Sequence, residues 1–255
     1  GLGATGVDRV LVMPDAAGLS LGIERAVEHH RAERDGTWPT VEFVAIEISH
    51  TVTDTAAAVS AMMRAGVRAI VVVGGDGTAR AVASVIDDSP LVALSTGTNN
   101  AFGVNLDATA VGLAVGLVAS GRCVATRCCQ RAKRLDVRIG DRCEIALIDL
   151  AVVDDVGVGS RAVWHPTRLT ELVVTIAEPG AIGLSAIAAA VSPCGRGEAA
   201  GRRLTIGPTG RSVLVAIAPG LVRSVGVVAA VPGFGWVGTG VTVPELISSA
   251  SRCVS

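Results

Sequence analysis

Two apolar runs that each break into a small, polar, glycine-rich turn constrain this chain more than any other feature. The first is Val71-Val72-Val73-Gly74-Gly75-Asp76-Gly77-Thr78, and the second ends in Ser95-Thr96-Gly97-Thr98-Asn99-Asn100. Short β-branched runs of this kind read as parallel strands buried on both faces. Ligands gather at the C-terminal ends of such strands. In the first turn the three glycines permit positive φ and close backbone approach. A helix starting near Gly77 and Thr78 aims its unpaired N–H groups at the same spot and favours an anion there. Asp76 stands among those donors, where it can accept a proton from a substrate hydroxyl or help hold a metal. The competing reading of this turn alone is a tight strand-to-helix connection with Asp76 as N-cap. In the second turn, the adjacent Asn99 and Asn100 both donate and accept, which suits phosphate oxygens or a nucleotide edge. Helix capping is the plainer alternative there. Two such turns on neighbouring strands at one sheet edge favour a ligand site. No Gly-Lys-Ser/Thr follows, so neither is a Walker loop, and neither is the dinucleotide Gly-x-Gly-x-x-Gly.

Up to residue 120 the order is strand, helix, strand, helix. Strands are expected at 9–14, 41–48, 67–73 and 91–94, with helices at 19–34, 55–65, 77–86 and 108–120. Asp54 or Thr53 is the expected N-cap of the second helix and Gly66 its stop. This is a doubly wound α/β layer architecture. Beyond it, residues 135–139 and 143–153 flank Gly140-Asp141 as a hairpin, and further apolar runs at 171–177, 203–206, 212–218 and 225–231 lie between Pro/Gly turns. Only 182–190 reads as helical. The expected division is an α/β nucleotide-binding domain over 1–122 and a mostly antiparallel β domain over 123–255. The basic stretch 121–133 is the linker, and the cleft between domains is the natural ligand site.

Half of the residues are apolar but only 2% are aromatic and none is Tyr, so the core must be Val, Ala, Leu and Ile. That argues against base-stacking platforms for nucleic acid. The 22 basic and 23 acidic side chains nearly cancel, leaving no global field for nucleic acid or an anionic membrane. The basic cluster Arg122, Arg127, Arg131, Lys133 and Arg134 reads as a solvated surface segment between elements, with anion binding as the alternative. The six Cys (123, 128, 129, 143, 194 and 253) form no Cys-x-x-Cys pair and have no His at zinc-like spacing, so they read as reduced thiols. There is no signal-peptide pattern and no apolar run of the ~18–20 residues a bilayer needs. The expectation is a cytoplasmic protein without membrane or nucleic-acid partners. Gly1 is not an initiator residue, so the chain reads as a fragment or processed product. Ser185, His165 and Asp149 lack a nucleophile elbow and are set aside as a hydrolase triad. His29-His30 reads as solvent-facing, and Trp164-His165-Pro166 as a core or surface anchor.

The Gly-Gly-Asp-Gly-Thr turn resembles the signature of the NAD kinase/diacylglycerol kinase superfamily. Further segments resemble its ATP–NAD kinase-like members of the acetoin-catabolism protein X type. These are Gly97-Thr98-Asn99-Asn100-Ala101-Phe102, Ala146-Leu-Ile-Asp149-Leu-Ala-Val, Glu178-Pro-Gly-Ala-Ile-Gly-Leu-Ser-Ala-Ile187 and Ala216-Ile-Ala-Pro-Gly-Leu221. The resemblance spans roughly residues 1–228. It implies that Asp76 activates an acceptor hydroxyl and that Gly74, Gly75, Gly77 and Thr78 lie beside the donor phosphates. It also implies that Thr96, Gly97, Thr98, Asn99 and Asn100 form a nucleotide-contacting loop. Asp149 takes the place of an acidic residue that follows an Asn in NAD kinases and helps bind the dinucleotide; here Ile148 replaces that Asn. Residues 179–185 resemble a turn that contacts NAD. The Asn-Pro-x-Ser-Gly turn that opens the family is expected to precede this chain. The Asp-Gly-Glu element near the family's C-terminus is absent from residues 231–255. The implied function is ATP-dependent, Mg²⁺-assisted phosphoryl transfer to a hydroxyl acceptor, with NAD or a small metabolite as acceptor and a link to acetoin catabolism. The alternative is a non-catalytic nucleotide- or metabolite-binding regulator on the same scaffold. A lipid kinase is disfavoured by the lack of a basic amphipathic surface. The resemblance also implies a homo-oligomer.

Overall fold

A computed structural model describes residues 1–15, 18–33, 38–86, 88–96, 100–139, 141–154, 163–233, 241–242 and 251–254. The chain forms two compact units. One comprises Gly1–Thr96, Gly103–Gln130 and Ala250–Ser255, and the other Gly97–Phe102 and Arg131–Ser249.

In the first unit, parallel strands alternate with helices, as the periodicity predicts. β1 (Arg9–Val12) runs parallel to β2 (Thr40–Phe43), with α1 (Leu19–Glu33) between them in sequence. Then come α2 (Val52–Arg64), β3 (Ile70–Gly74), α3 (Asp76–Ala83), β4 (Leu91–Ser95) and α4 (Ala108–Ala119). β3 and β4 are parallel, with Ile70 opposite Leu91 and Gly74 opposite Ser95. The strand Ser251–Val254 also pairs in parallel with β4.

β3 is not buried on both faces, contrary to expectation. Ile70 and Val72 are buried, whereas Val71 is 40% and Val73 62% exposed. The covering helix explains the asymmetry. Val111, Val115 and Val118 of α4 pack over Val92 and Leu94 of β4, so this face of the sheet is closed at β4 and left open at β3.

α2 begins earlier than its sequence suggests. Thr51 is the N-cap, accepting from the Thr53 N–H at 3.3 Å, rather than Thr53 or Asp54. Asp54 lies in the first turn, where its buried carboxylate accepts from the Ser49 hydroxyl (2.5 Å), the Ser49 N–H (3.0 Å) and the His50 N–H (2.8 Å). The Ser49 hydroxyl, with the backbone donors behind it, holds this carboxyl below its usual range. A depressed folded-state value means the contribution to stability is complete above the unfolded value of ~3.9 and is lost as pH falls through the folded value. Asp54→Asn is therefore expected to lower stability at neutral pH and to flatten the acid side of the stability profile. Urea midpoints from pH 7 down to pH 3 check this, and parallel profiles for the two proteins would exclude it.

The first unit ends in α5 (Ala125–Cys128), and β5 (Cys129–Ala132) carries the chain into the second. There β6 (Leu135–Ile139) and β7 (Arg142–Ala146) form the predicted hairpin. The apolar run expected as one strand over 143–153 is split, because the Thr175 hydroxyl and N–H take the carbonyls of Leu147 and Ile148. Its second half is β8 (Asp149–Val153), in another sheet. β8, β9 (Leu169–Val174), β10 (Arg202–Ala218) and β11 (Leu221–Pro232) form an antiparallel sheet in the order β11-β10-β9-β8. β9 is buried on both sides. Leu172 and Val174 meet Ile187 of α6 (Ser185–Val191) and Leu204 of β10, while Val173 meets Leu135 and Val137 of the hairpin. An N-terminal α/β domain followed by a mostly antiparallel β domain is thus the fold of this chain.

Candidate functional site

The register of β3 against β4 brings the first glycine-rich turn and the start of the second, Ser95 and Thr96, to one sheet edge. Thr96 N–H donates to the Gly74 carbonyl at 3.3 Å, directly joining the two strand ends. Gly74, Gly75, Asp76, Gly77, Thr78 and Thr96 therefore lie together. Gly97, Thr98 and Asn99 lie outside the described residues. Asn100 and Asp149 belong to the second unit.

α3 starts at Asp76, one residue before the expected start, and Gly75 is its N-cap in extended conformation (φ −98°, ψ 179°). Asp76 is thus the first helical residue and not the cap. None of the three glycines adopts positive φ. Their use here is space. A Cβ on Gly74 would stand 3.0 Å from Thr78 Oγ1 and 3.1 Å from its Cβ, so glycine allows Thr78 to fold back over the strand end. A Cβ on Gly77 would meet nothing within 4 Å, and Gly77 and Thr78 are both exposed. The first helical hydrogen bond runs from Ala79 N–H to the Gly75 carbonyl, so the Gly77 and Thr78 N–H groups precede the helical ladder. An uncovered helix start of this kind attracts anions.

At Gly103 the chain meets the first turn. Gly103 N–H donates to Asp76 Oδ1 at 3.3 Å, which orients the half-buried carboxylate. Gly103 approaches Ser95 so closely that a Cβ would stand 3.3 Å from its backbone. Val104 then bonds back to Ala93 and Ser95, completing the edge.

Within the second unit, Arg196 grips the segment 100–102, a role with no signature in the sequence. Its Nη1 donates to the Phe102 carbonyl at 2.9 Å and its Nη2 to the Ala101 carbonyl at 2.7 Å. The guanidinium carbon lies 5.9 Å from the centroid of the buried Phe102 ring. Glu178 holds Arg196 in turn, accepting its N–H at 3.4 Å and pairing with its Nε at 3.7 Å. Beside it, Lys133 is buried and donates to the carbonyls of Gly195 (2.7 Å) and Ala200 (3.4 Å), which corrects its reading as a solvated residue. Burial pushes the Lys133 ammonium below its usual value and the neighbouring Cys194 thiol above its own. Glu198 accepts the Gly195 N–H and pairs with Arg202 at 2.8 Å; the Gly195 N–H is the main reason its carboxyl sits low.

Asp149 opens β8 opposite Val174 and is half-buried. The preceding Ile148 is a core residue, 8% exposed. Segment 179–185 is a turn into α6, with Gly180 and Gly183 at positive φ. Ser185 is buried in it while His165 is exposed, so they form no hydrolase pair. Trp164 is 53% exposed. His30 stacks on Trp38 at 4.0 Å. Cys123 and Cys128 are joined in a disulfide, which corrects the reading of all six cysteines as reduced. Among the described residues there is no group of three His, Cys, Asp or Glu able to hold a metal ion. None of the described helices is long and apolar enough to cross a membrane.

Residues 13–121 match the family model of the ATP-NAD kinase N-terminal domain, and residues 133–232 match that of the acetoin catabolism protein X C-terminal domain. The chain is also 38% identical over 243 residues to Acetoin catabolism protein X of Cupriavidus necator. This protein belongs to the acetoin catabolism protein X group of the NAD kinase-like family. The alignment covers 92% of this chain and 66% of that relative. The kinase-type match includes Gly74–Thr78 and Thr96–Asn100 of the two turns, and the group-specific match includes Lys133, Asp149, Glu178 and Arg196.

Proposed function

We propose that this kinase-like scaffold transfers the γ-phosphoryl group of ATP to the hydroxyl of a small acceptor. The observation that supports it most is the register of Gly74 against Ser95. It sets an open helix start, free of side-chain cover at Gly77, beside one oriented carboxylate. Polyphosphate fits the N–H groups of Gly77 and Thr78, with the Thr78 hydroxyl adjacent. Mg²⁺ is commonly held by one or two carboxylates together with substrate phosphates, so Asp76 suffices on the protein side. The metal would neutralise charge building on the phosphates. In the reaction the acceptor oxygen bonds to the γ-phosphorus as the bond to the bridging oxygen of ADP breaks. Asp76 orients the acceptor hydroxyl and receives its proton. Catalysis of phosphoryl transfer is mostly positioning and electrostatic stabilisation, so orientation of the hydroxyl supplies more of the effect than proton abstraction. The place of the relative in acetoin catabolism makes small hydroxy-ketones and polyols acceptors to test beside NAD.

One observation favours a non-catalytic regulator instead. Ile148 fills the core where NAD kinases carry an Asn, so the residue before Asp149 offers no polar side chain to a dinucleotide. The deciding assay is ATP consumption with Mg²⁺, with NAD and with a panel of hydroxylated metabolites. Acceptor-dependent turnover supports the phosphotransferase. ATP binding without turnover for any acceptor moves the reading to the regulator.

A further inference from the structure

We propose that Arg196 is a positioning residue for Asp76, acting through the peptide group that joins Phe102 to Gly103. The meaning of this for catalysis rests on the phosphotransferase reading; the link itself does not. One peptide group bears both contacts. Its carbonyl accepts from Arg196 Nη1 at 2.9 Å, and its N–H donates to Asp76 Oδ1 at 3.3 Å. Because the peptide is planar, fixing the direction of its C=O fixes the direction of its N–H. A cation on the carbonyl oxygen also draws electrons from the nitrogen, and linked hydrogen bonds strengthen one another in this way.

Arg196 is suited to this work and lysine is not. Its fork spans two successive carbonyls, those of Ala101 and Phe102, which a single ammonium cannot reproduce with the same geometry. The fork is locked from behind by Glu178, and the adjacent Gly195 is held by Lys133 and Glu198. Rotation of the Phe102–Gly103 peptide would break the Arg196 and Asp76 contacts together.

The test is amide hydrogen exchange at Gly103, followed by NMR in the intact chain. Exchange is expected to speed up about tenfold in Arg196→Met, on the scale of one charge-assisted hydrogen bond, and by less in Arg196→Lys. Asp76→Ala is expected to produce a similar rise, and adding Arg196→Met to it little more, because both act on one peptide. Unchanged Gly103 exchange in Arg196→Met and Arg196→Lys, with faster exchange confined to 195–198, would overturn the proposal. So would fully additive effects. If Arg196→Met does not fold, Arg196→Lys decides alone. This readout needs no turnover. A wild type without turnover sinks the phosphotransferase reading while Gly103 exchange still decides the link. Where turnover is present, Arg196→Lys is expected to lower kcat several-fold with little change in KM for ATP; a change in KM alone would count against the proposal.

Discussion

Replacing Asp76 with alanine is expected to lower phosphoryl transfer by about 10²–10⁴-fold, the range typical of a general acid–base group, while ATP still binds. The expectation follows from the separation of tasks at the sheet edge. Phosphate would be held by backbone N–H groups at Gly77 and Thr78, which Asp76→Ala leaves in place. The Asp76 carboxylate would instead serve the acceptor hydroxyl and help hold Mg²⁺. Asp76→Asn separates charge from loop support. The amide oxygen can still accept from Gly103 N–H, so the loop is kept, but the side chain cannot receive a proton or carry charge. Asn and Ala variants equally inactive, both binding ATP as the wild type does, would assign the effect to the charge. Turnover retained in the Asn variant would assign Asp76 to loop support. Full turnover in both would remove it from the reaction.

How far the chain is legible depends on which forces set each element. The first turn was legible because its requirements are local: an apolar strand, a small-residue break and a helix start leave a pattern in consecutive residues. Even there, the reason for the glycines was misread. Sequence shows that a residue lacks a Cβ, but only the packing of Thr78 over Gly74 shows that space, and not positive φ, is what the turn uses. The expectation that β3 is buried on both faces failed because α4 packs on Val92 and Leu94 of β4 and leaves Val71 and Val73 exposed, and no property of Val71 or Val73 reveals which strand a distant helix will choose. Arg196 was invisible for the same reason. Its partners are carbonyls of Ala101 and Phe102, and carbonyls are present on every residue. A site residue that acts on backbone groups leaves no motif; one that acts on substrate through a named side chain, as Asp76 would, leaves a strong one.

The largest effect on stability is expected at Gly210, far from any motif. β10 is interrupted there: Ile206 and Arg211 both pair with Val227, so residues 207–210 bulge out against one residue of β11. At the base of this bulge the two backbones nearly touch. A Cβ on Gly210 would overlap the backbone of Val227 and Val228, and one on Gly226 would overlap the carbonyl of Gly207. Backbone cannot rotate aside as a side chain can, so Gly210→Ala must push β11 away from β10. Val225 and Val227 of β11 and Val213 and Val215 of β10 belong to the same core and would part with it. The expected loss is more than ~3 kcal/mol, a large share of the ~5–15 kcal/mol that holds a domain together. Gly207→Ala is the control. It lies in the same bulge, at ordinary φ, and its Cβ would meet only Val228 Cγ2, at 3.3 Å, a methyl that can shift. Urea unfolding of the two variants decides the matter. A Gly210→Ala midpoint far below that of Gly207→Ala supports the close crossing of β10 and β11, and equal midpoints would show that the crossing is looser than the contacts imply.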